Sequence, residues 1–333
     1  MSEDNQDINV SVLNREIIDA ITEADEGSIK SAAAAGSNMI RRRIREDGFA
    51  RNIIPPKTVT NDMLDRVAEH DRPVMIEDME PDSKGAKSIP FGDSADTEFY
   101  YGTKYVCVFN AITTPEFTKD INELRTYRMD LRKVITDNAL RDIQTEEDTR
   151  FIELVNDATG TYNTTPTATG GNTGGTLGAA GFKQAYNYIA AGGAGTNSGF
   201  DRATYIPSLS NLENHNLNNG VNLMNRYTAK HFLKMHRGEA GGDLSQELFL
   251  SGLKALQEAT VFGVRHLFTI KADLVPNDEM YSFAEPEFLG RFYTLQDPTM
   301  YVEKKKDILR FSARETISVT FANLAGVARC KWS

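Results

Sequence analysis

The stretch KSIPFGDSADTEFYYGTKYVCVFNAITTPEF, from Lys87 to Phe117, decides how this chain is read. Its second half alternates with the two-residue period of a strand, which places Phe99, Tyr101, Tyr105, Cys107 and Phe109 on one face. The opposite face carries Tyr100, Val106, Val108 and Ile112, so both faces are apolar. At ~3.4 Å per residue a strand from Phe99 to Ile112 would run roughly 45 Å, well beyond the usual ~5 to 6 residues. A ribbon of that length is expected to leave its own domain, and something must cover it.

Upstream, RPVMIEDME from Arg72 to Glu80 also alternates, and Pro81 to Gly85 forms a polar turn, so the two runs make one long, charged hairpin. Its outer part carries Glu77, Asp78, Glu80, Lys84 and Lys87. Before it, residues 1–26 hold a helical pattern with Ile8, Val12, Ile17 and Ile21 near one face, and a weaker one follows from Ser28 through Arg45. Gly48, Pro55 and Pro56 end that pattern and leave Asn52 to Thr60 extended, so this part reads as an N-terminal arm.

Downstream, Thr113 and Glu116 have capping-box spacing, and Thr114 with Pro115 would serve as N-cap and first helical residue. Phe117, Ile121, Leu124, Leu131, Ile135 and Ala139 then share one helical face, whereas Leu140, Ile143, Phe151 and Leu154 lie on another. The spacing predicts a long helix that bends or changes partners near Ala139. The alternative is a helix ending near Thr136 and a second one capped by Asp137 or Asn138.

After Asp157 the composition turns to TGTYNTTPTATGGNTGGTLGAAG and AAGGAGTNSG, too poor in large apolar groups to order itself, so a loop is expected. Beyond Ala203, Leu209 to Leu223 permits a polar helix, with Val221 to Met224 as an alternative short strand. Helices are expected at Thr228 to His236 and Leu244 to Ala259. Strands are expected at Val264 to Val275, Glu279 to Ala284, and Ile308 to Trp332 with a break at Asn323 to Gly326. This is an α+β chain without the βαβ rhythm of a doubly wound sheet.

The whole is 333 residues with 40% hydrophobic content, ample for a packed core. A formal charge of -10 argues against a general nucleic-acid binder, which needs clustered cations to displace counterions. The local clusters RRRIR at Arg41 to Arg45 and KKK at Lys304 to Lys306 read as solvated faces or interfaces. Cys107 and Cys330 lie in apparent strands and give no disulfide framework. MSEDNQDINV lacks the features of a secretory signal, and no segment approaches the ~20 apolar residues that span a bilayer, so a soluble, cytosolic chain without a membrane is expected.

The search for chemistry returns little. Gly170 to Gly181 contains no lysine, as a phosphate-binding P-loop requires, and the segment follows a helix without G-x-G-x-x-G spacing. His231 and His236, five apart, do not share a helical face for metal ligation, and His70, His215 and His266 stand alone in sequence. No G-x-S-x-G occurs, and neither cysteine has a neighbouring base. No catalytic, metal or cofactor site is expected.

In order, the features are an arm, a charged two-stranded excursion, a long helix, a mixed region with a loop-rich insert, and returning strands. That order resembles the major capsid proteins of tailed bacteriophages. So do HLFTIKADLVPNDEMYSFAEPEFLGRFYTLQDPTMYVEKKKDILRFSARETISVTFANLAGVARCKW from His266 to Trp332 and RIREDGFARNIIPP from Arg43 to Pro56. The resemblance implies an N-terminal arm over 1–56 and an extended region over 57–113 with an E-loop hairpin at about 72–101. It implies a P domain over 114–202, with a spine helix at 114–157 and the Gly/Thr-rich loop at 158–199, an A domain over 203–297, and a return to the P domain over 298–333.

The function implied is a non-catalytic structural subunit of an icosahedral head, forming hexamers and pentamers around double-stranded DNA that it contacts without sequence specificity. It would reside in the virion after assembly in the host bacterial cytoplasm, with scaffold, portal and decoration proteins as partners. Glu77, Asp78, Glu80, Lys84 and Lys87 become candidates for contact between subunits. Other classes are a tail or baseplate protein and an enzyme that binds a phosphorylated ligand at the Gly-rich segment.

Overall fold

The computed structural model describes residues 48–79, 86, 88–94, 97, 102–120, 131–159, 186–190, 202–209, 212–213, 216–234, 258–261, 263–305 and 307–332. The expected helices before residue 48, the RRRIR cluster, and the candidates Glu80, Lys84 and Lys87 lie outside them, as does most of the Gly/Thr-rich segment.

The centre is a long antiparallel pair, β12 (Gly290–Lys305) and β13 (Ile308–Phe321). Strand β13 shows the period of two that made it legible: Leu309, Phe311, Ala313, Glu315 and Ile317 are all buried, with exposed or half-buried residues between them. Onto this pair fold β1 (Lys57–Thr58), parallel to β12, and both β5 (Asn110–Thr113) and β6 (Phe117–Asp120), each antiparallel to β13. A second sheet of six strands runs in the order β7 (Tyr186–Ala190), β14 (Val327–Trp332), β11 (Glu279–Ala284), β8 (Asn219–Asn225), β10 (Val264–Thr269) and β9 (Glu258–Val261). A third has β3 (His70–Met79) between β2 (Asp65–Val67) and β4 (Thr103–Val108).

The described long helix, α2, spans Leu131–Thr159 and packs against both larger sheets. Its buried side is one stripe of Ala139, Leu140, Ile143, Gln144, Glu147, Asp148, Phe151, Ile152, Val155, Ala158 and Thr159, at the three- and four-residue spacing of a single face. Phe151 meets Phe49 of the short helix α1 (Phe49–Ile53), Phe283 of the second sheet and Phe321 of the first, with ring centroids 6.4, 5.4 and 5.6 Å apart. Three shorter helices, α3 (Arg202–Leu209), α4 (Arg226–Ala229) and α5 (Pro286–Leu289), flank the second sheet.

Several sequence-based expectations are corrected. No helix starts at Thr114: Thr114 Oγ1 accepts the Ala313 amide at 2.9 Å while the Thr114 amide donates to the Ala313 carbonyl at 2.8 Å. Phe117 therefore lies on strand β6, because pairing with β13 satisfies the backbone that a helix cap would have served. The helix is unbroken through Asn138, and no change of partner occurs at Ala139, since Ile135, Ile143, Phe151 and Leu154 join one core cluster.

The Gly/Thr-rich segment is not loop throughout. YNYIA at residues 186–190 pairs parallel with β14, as its aromatic and β-branched residues favour. Glu258 and Ala259 begin strand β9 instead of ending a helix, and Asn52 and Ile53 are helical where extension was expected. Strand β12 enters the first sheet at Gly290, and β14 lies in the second sheet.

Candidate functional site

The ribbon of β3 and β4 begins where the sequence placed it. The two pair antiparallel from Val74 opposite Val108 to Met79 opposite Thr103. The returning run, however, is two strands, not one. At Phe109, whose amide donates to the Pro73 carbonyl at 3.1 Å, the chain passes from the small sheet to the first sheet, and Ile112 beyond it is buried in the main core. Each piece is then of ordinary length.

The inward face of the ribbon root is covered by the same chain. Cys107 and Phe109 cluster with Val59 and Tyr293, and Met75, Tyr105 and Leu295 pack against them. Burial, with the charge of Glu77 adding to it, pushes the Tyr105 phenol up to about 12 and raises Tyr293 as well. The outward face differs: Ile76 lies opposite Val106 in register, and Val106 is 43% exposed.

The candidate contact residues separate on this ribbon. Glu77 points inward, where its Oε1 accepts a hydrogen bond from the hydroxyl of fully buried Tyr293 on β12. That bond ties β3 to β12 at the root of the ribbon. Asp78 lies directly opposite Lys104 with 3.5 Å between charged atoms, and the two side chains are 85% and 68% exposed. A pair so open to water contributes little to the fold.

Farther out, sequence reasoning passed over two residues. Ile89 is 45% exposed and Phe91 is fully exposed, on either side of Pro90, whose carbonyl accepts the Asp93 amide at 3.2 Å. Gly92 turns the chain with φ 92°, a region that favours glycine. The signal was present in SIPFGD, where two large apolar residues stand among turn-forming ones at the end of a hairpin. Large apolar side chains exposed beside a turn are candidates for contact with a partner.

The histidine read as solitary has partners far away in sequence. His266 on β10 is buried, its Nε2 2.6 Å from the Tyr205 hydroxyl and 3.1 Å from Asn222 Nδ2, with Nδ1 2.8 Å from the Val264 carbonyl. If Nδ1–H donates to that carbonyl, Nε2 accepts from both partners, and burial lowers the ring to about 4, so the imidazole is neutral. It is a satisfied core residue. Among the described residues no group of His, Cys, Asp and Glu could hold a metal ion, and no helix is long and apolar enough to cross a membrane. Cys107 and Cys330 are buried and unbridged.

No protein-family model matches the chain, and no curated protein matches it. Solved structures do. A chain from the mature capsid of bacteriophage PhiM1 aligns over 83% of this chain and 85% of its own length, with a TM-score of 0.54 and 11% identity. One from Microbacterium phage Oxtober96 aligns over 86% and 90%, with a TM-score of 0.54 and 10% identity. The capsid of cyanophage P-SCSP1u aligns over 80% and 85%, with a TM-score of 0.52 and 9% identity. The chain thus has the α+β fold of tailed-phage major capsid proteins, as its order of elements implied.

Proposed function

We propose that the chain is a structural shell subunit of a tailed-phage head, assembling with copies of itself into hexamers and pentamers that enclose double-stranded DNA. The observation that carries this reading is the ribbon, whose root is fastened to the body while Val106 on its outer face stands exposed beside half-buried Ile76, with Ile89 and Phe91 also exposed farther along the chain. A hairpin of two or three strands is marginal alone, so a second subunit is the natural cover, and a closed shell supplies one to every copy. The net charge of -10 suits a container that must not adhere to the DNA inside it.

In this reading Asp78, with Glu80, Lys84 and Lys87 after it in sequence, contacts the neighbouring subunit, and Glu77 holds the ribbon's root. The role is structural and involves no catalysis. Electron microscopy of the purified full chain tests the proposal: closed shells or capsomers support it. Open tubes or rings would assign a tail or baseplate role instead, and a uniform monomer that nucleotide stabilises would assign an enzyme.

A further inference from the structure

Where residues 48–54 enter the body, three buried carboxylates meet two cations, Arg51, which is buried, and Lys271, which is partly open to water. Arg51 Nη2 donates to Glu147 Oε1 at 2.5 Å and also to Glu315 Oε1, and its Nε lies 3.2 and 3.1 Å from the two oxygens of Glu147. Its guanidinium stands 5.4 Å from the centre of the Phe292 ring. Beside it, Asp148 accepts the Ala50 amide at 3.1 Å and the Lys271 ammonium at 2.5 Å. The side chains of Arg51, Glu147 and Glu315 are only 3%, 1% and 0% exposed.

Two cations against three carboxylates leave one negative charge unmatched. A carboxylate placed so takes up a proton in preference to remaining ionised out of water. The two candidates are unequal. Burial raises Asp148 only to about 6, because Lys271 opposes it, whereas burial and the facing Glu147 push Glu315 up to about 9. The groups that face Glu315 are Arg51 from α1 and Glu147 from α2, with Asp148 on α2 and Lys271 beyond β10 one contact farther away.

We propose that the proton held by Glu315 is a latch on the chain's N-terminal side: residues 48–54 stay seated in the body while it is held and are released more readily as it is lost. Among the described residues, the segment is fastened by little else that is polar. Its other anchors are the apolar side chains of Phe49, Ile53 and Ile54, and a cleft of about 310 Å³ lined by Arg51, Pro55, Pro56, Thr58, Thr294 and Asp297 brings water to its edge.

The direction follows from where the proton binds. Once the segment has left, water reaches Glu315, which returns toward its ordinary value of 4.5. The seated state binds the proton more tightly, so the latch is strongest below that value, weakens as pH rises toward about 9, and changes no further above it. Within the window, each pH unit raises the released fraction about tenfold.

The test uses unassembled full-length subunits and the rate of tryptic cleavage after Arg51, normalised at each pH to a free peptide of the same sequence. In the natural chain the normalised rate rises about tenfold per unit between about pH 7 and 8.5. In Glu315→Gln, whose amide donates as the protonated acid does but cannot ionise, it stays flat. Equal slopes in the two proteins overturn the proposal. Should the variant fail to fold, infrared spectroscopy of the natural protein decides alone. A protonated-carboxyl stretch present at pH 7 and lost above about pH 9 supports the latch, and its absence at pH 7 overturns it.

Discussion

Phe151 on α2 and Val106 on β4 are both large apolar residues, and they meet opposite environments. Phe151 is fully buried among Phe49, Phe283 and Phe321, groups drawn from a helix and two sheets of its own chain. Val106 is 43% exposed, and its cross-strand partner Ile76 offers the same apolar face to the same side. The body therefore satisfies itself, whereas the ribbon satisfies itself only at its root. Apolar surface of this kind is costly to leave in water, at ~25 cal/mol per Å², and in the proposed reading a neighbouring subunit covers it.

The contrast makes graded predictions. The largest effect belongs to the body: Phe151→Ala opens a cavity where three elements meet and is expected to cost ~3 to 5 kcal/mol, read from the denaturation midpoint of unassembled subunits. A loss under ~1 kcal/mol would mean that the helix is not the common support of both sheets. At the junction of body and ribbon, Tyr293→Phe removes the donor to Glu77 and leaves a half-buried carboxylate unpaired, which is expected to cost ~1 to 3 kcal/mol and to loosen the ribbon. Proteolytic nicking of β3 and β4 should rise in that variant while α2 stays protected.

The smallest effect on stability belongs to the outer ribbon. Asp78→Lys should change the subunit's unfolding by no more than ~0.5 kcal/mol, since its pair with Lys104 is open to solvent, yet it should impair particle formation. Sedimentation of the assembled fraction checks this, and normal particles would remove Asp78 from the contact surface. Glu77 is left unchanged in that experiment, because reversing it breaks the bond to Tyr293 and mixes folding with assembly.

What could be read in advance followed the range of the forces involved. Strand β13 was legible because Leu309, Phe311, Ala313 and Ile317 alternate locally, and the same alternation carries Glu315 to the buried side in the structure. The break at Asn323 was legible for a similar reason, as its side chain accepts the Ala325 amide within one turn. Strand β12 went unread. Gln296, Asp297 and Pro298 interrupt its pattern, and the ladder shifts register there, so a local period of two cannot persist.

The start of the long helix was misread because what holds Thr114 is Ala313, 199 residues away, a partner no capping motif can register. The ribbon's root shows the same limit, with Glu77 and Tyr293 separated by 216 residues. The apolar tip was different. Ile89 and Phe91 stand in SIPFGD as large apolar residues among turn-forming ones, a local signal that needs no distant partner to be legible.

Amide hydrogen exchange, followed by mass spectrometry on unassembled subunits and on purified particles of the same chain, tests the contrast most directly. The account predicts that α2 from Ala139 to Val155 exchanges slowly and equally in both, because its cover comes from its own chain. Strands β3 and β4 beyond Val74 and Val108 should exchange rapidly in free subunits and become strongly protected in particles. Equal protection of the ribbon in both states would contradict the claim that it is completed by a neighbouring subunit.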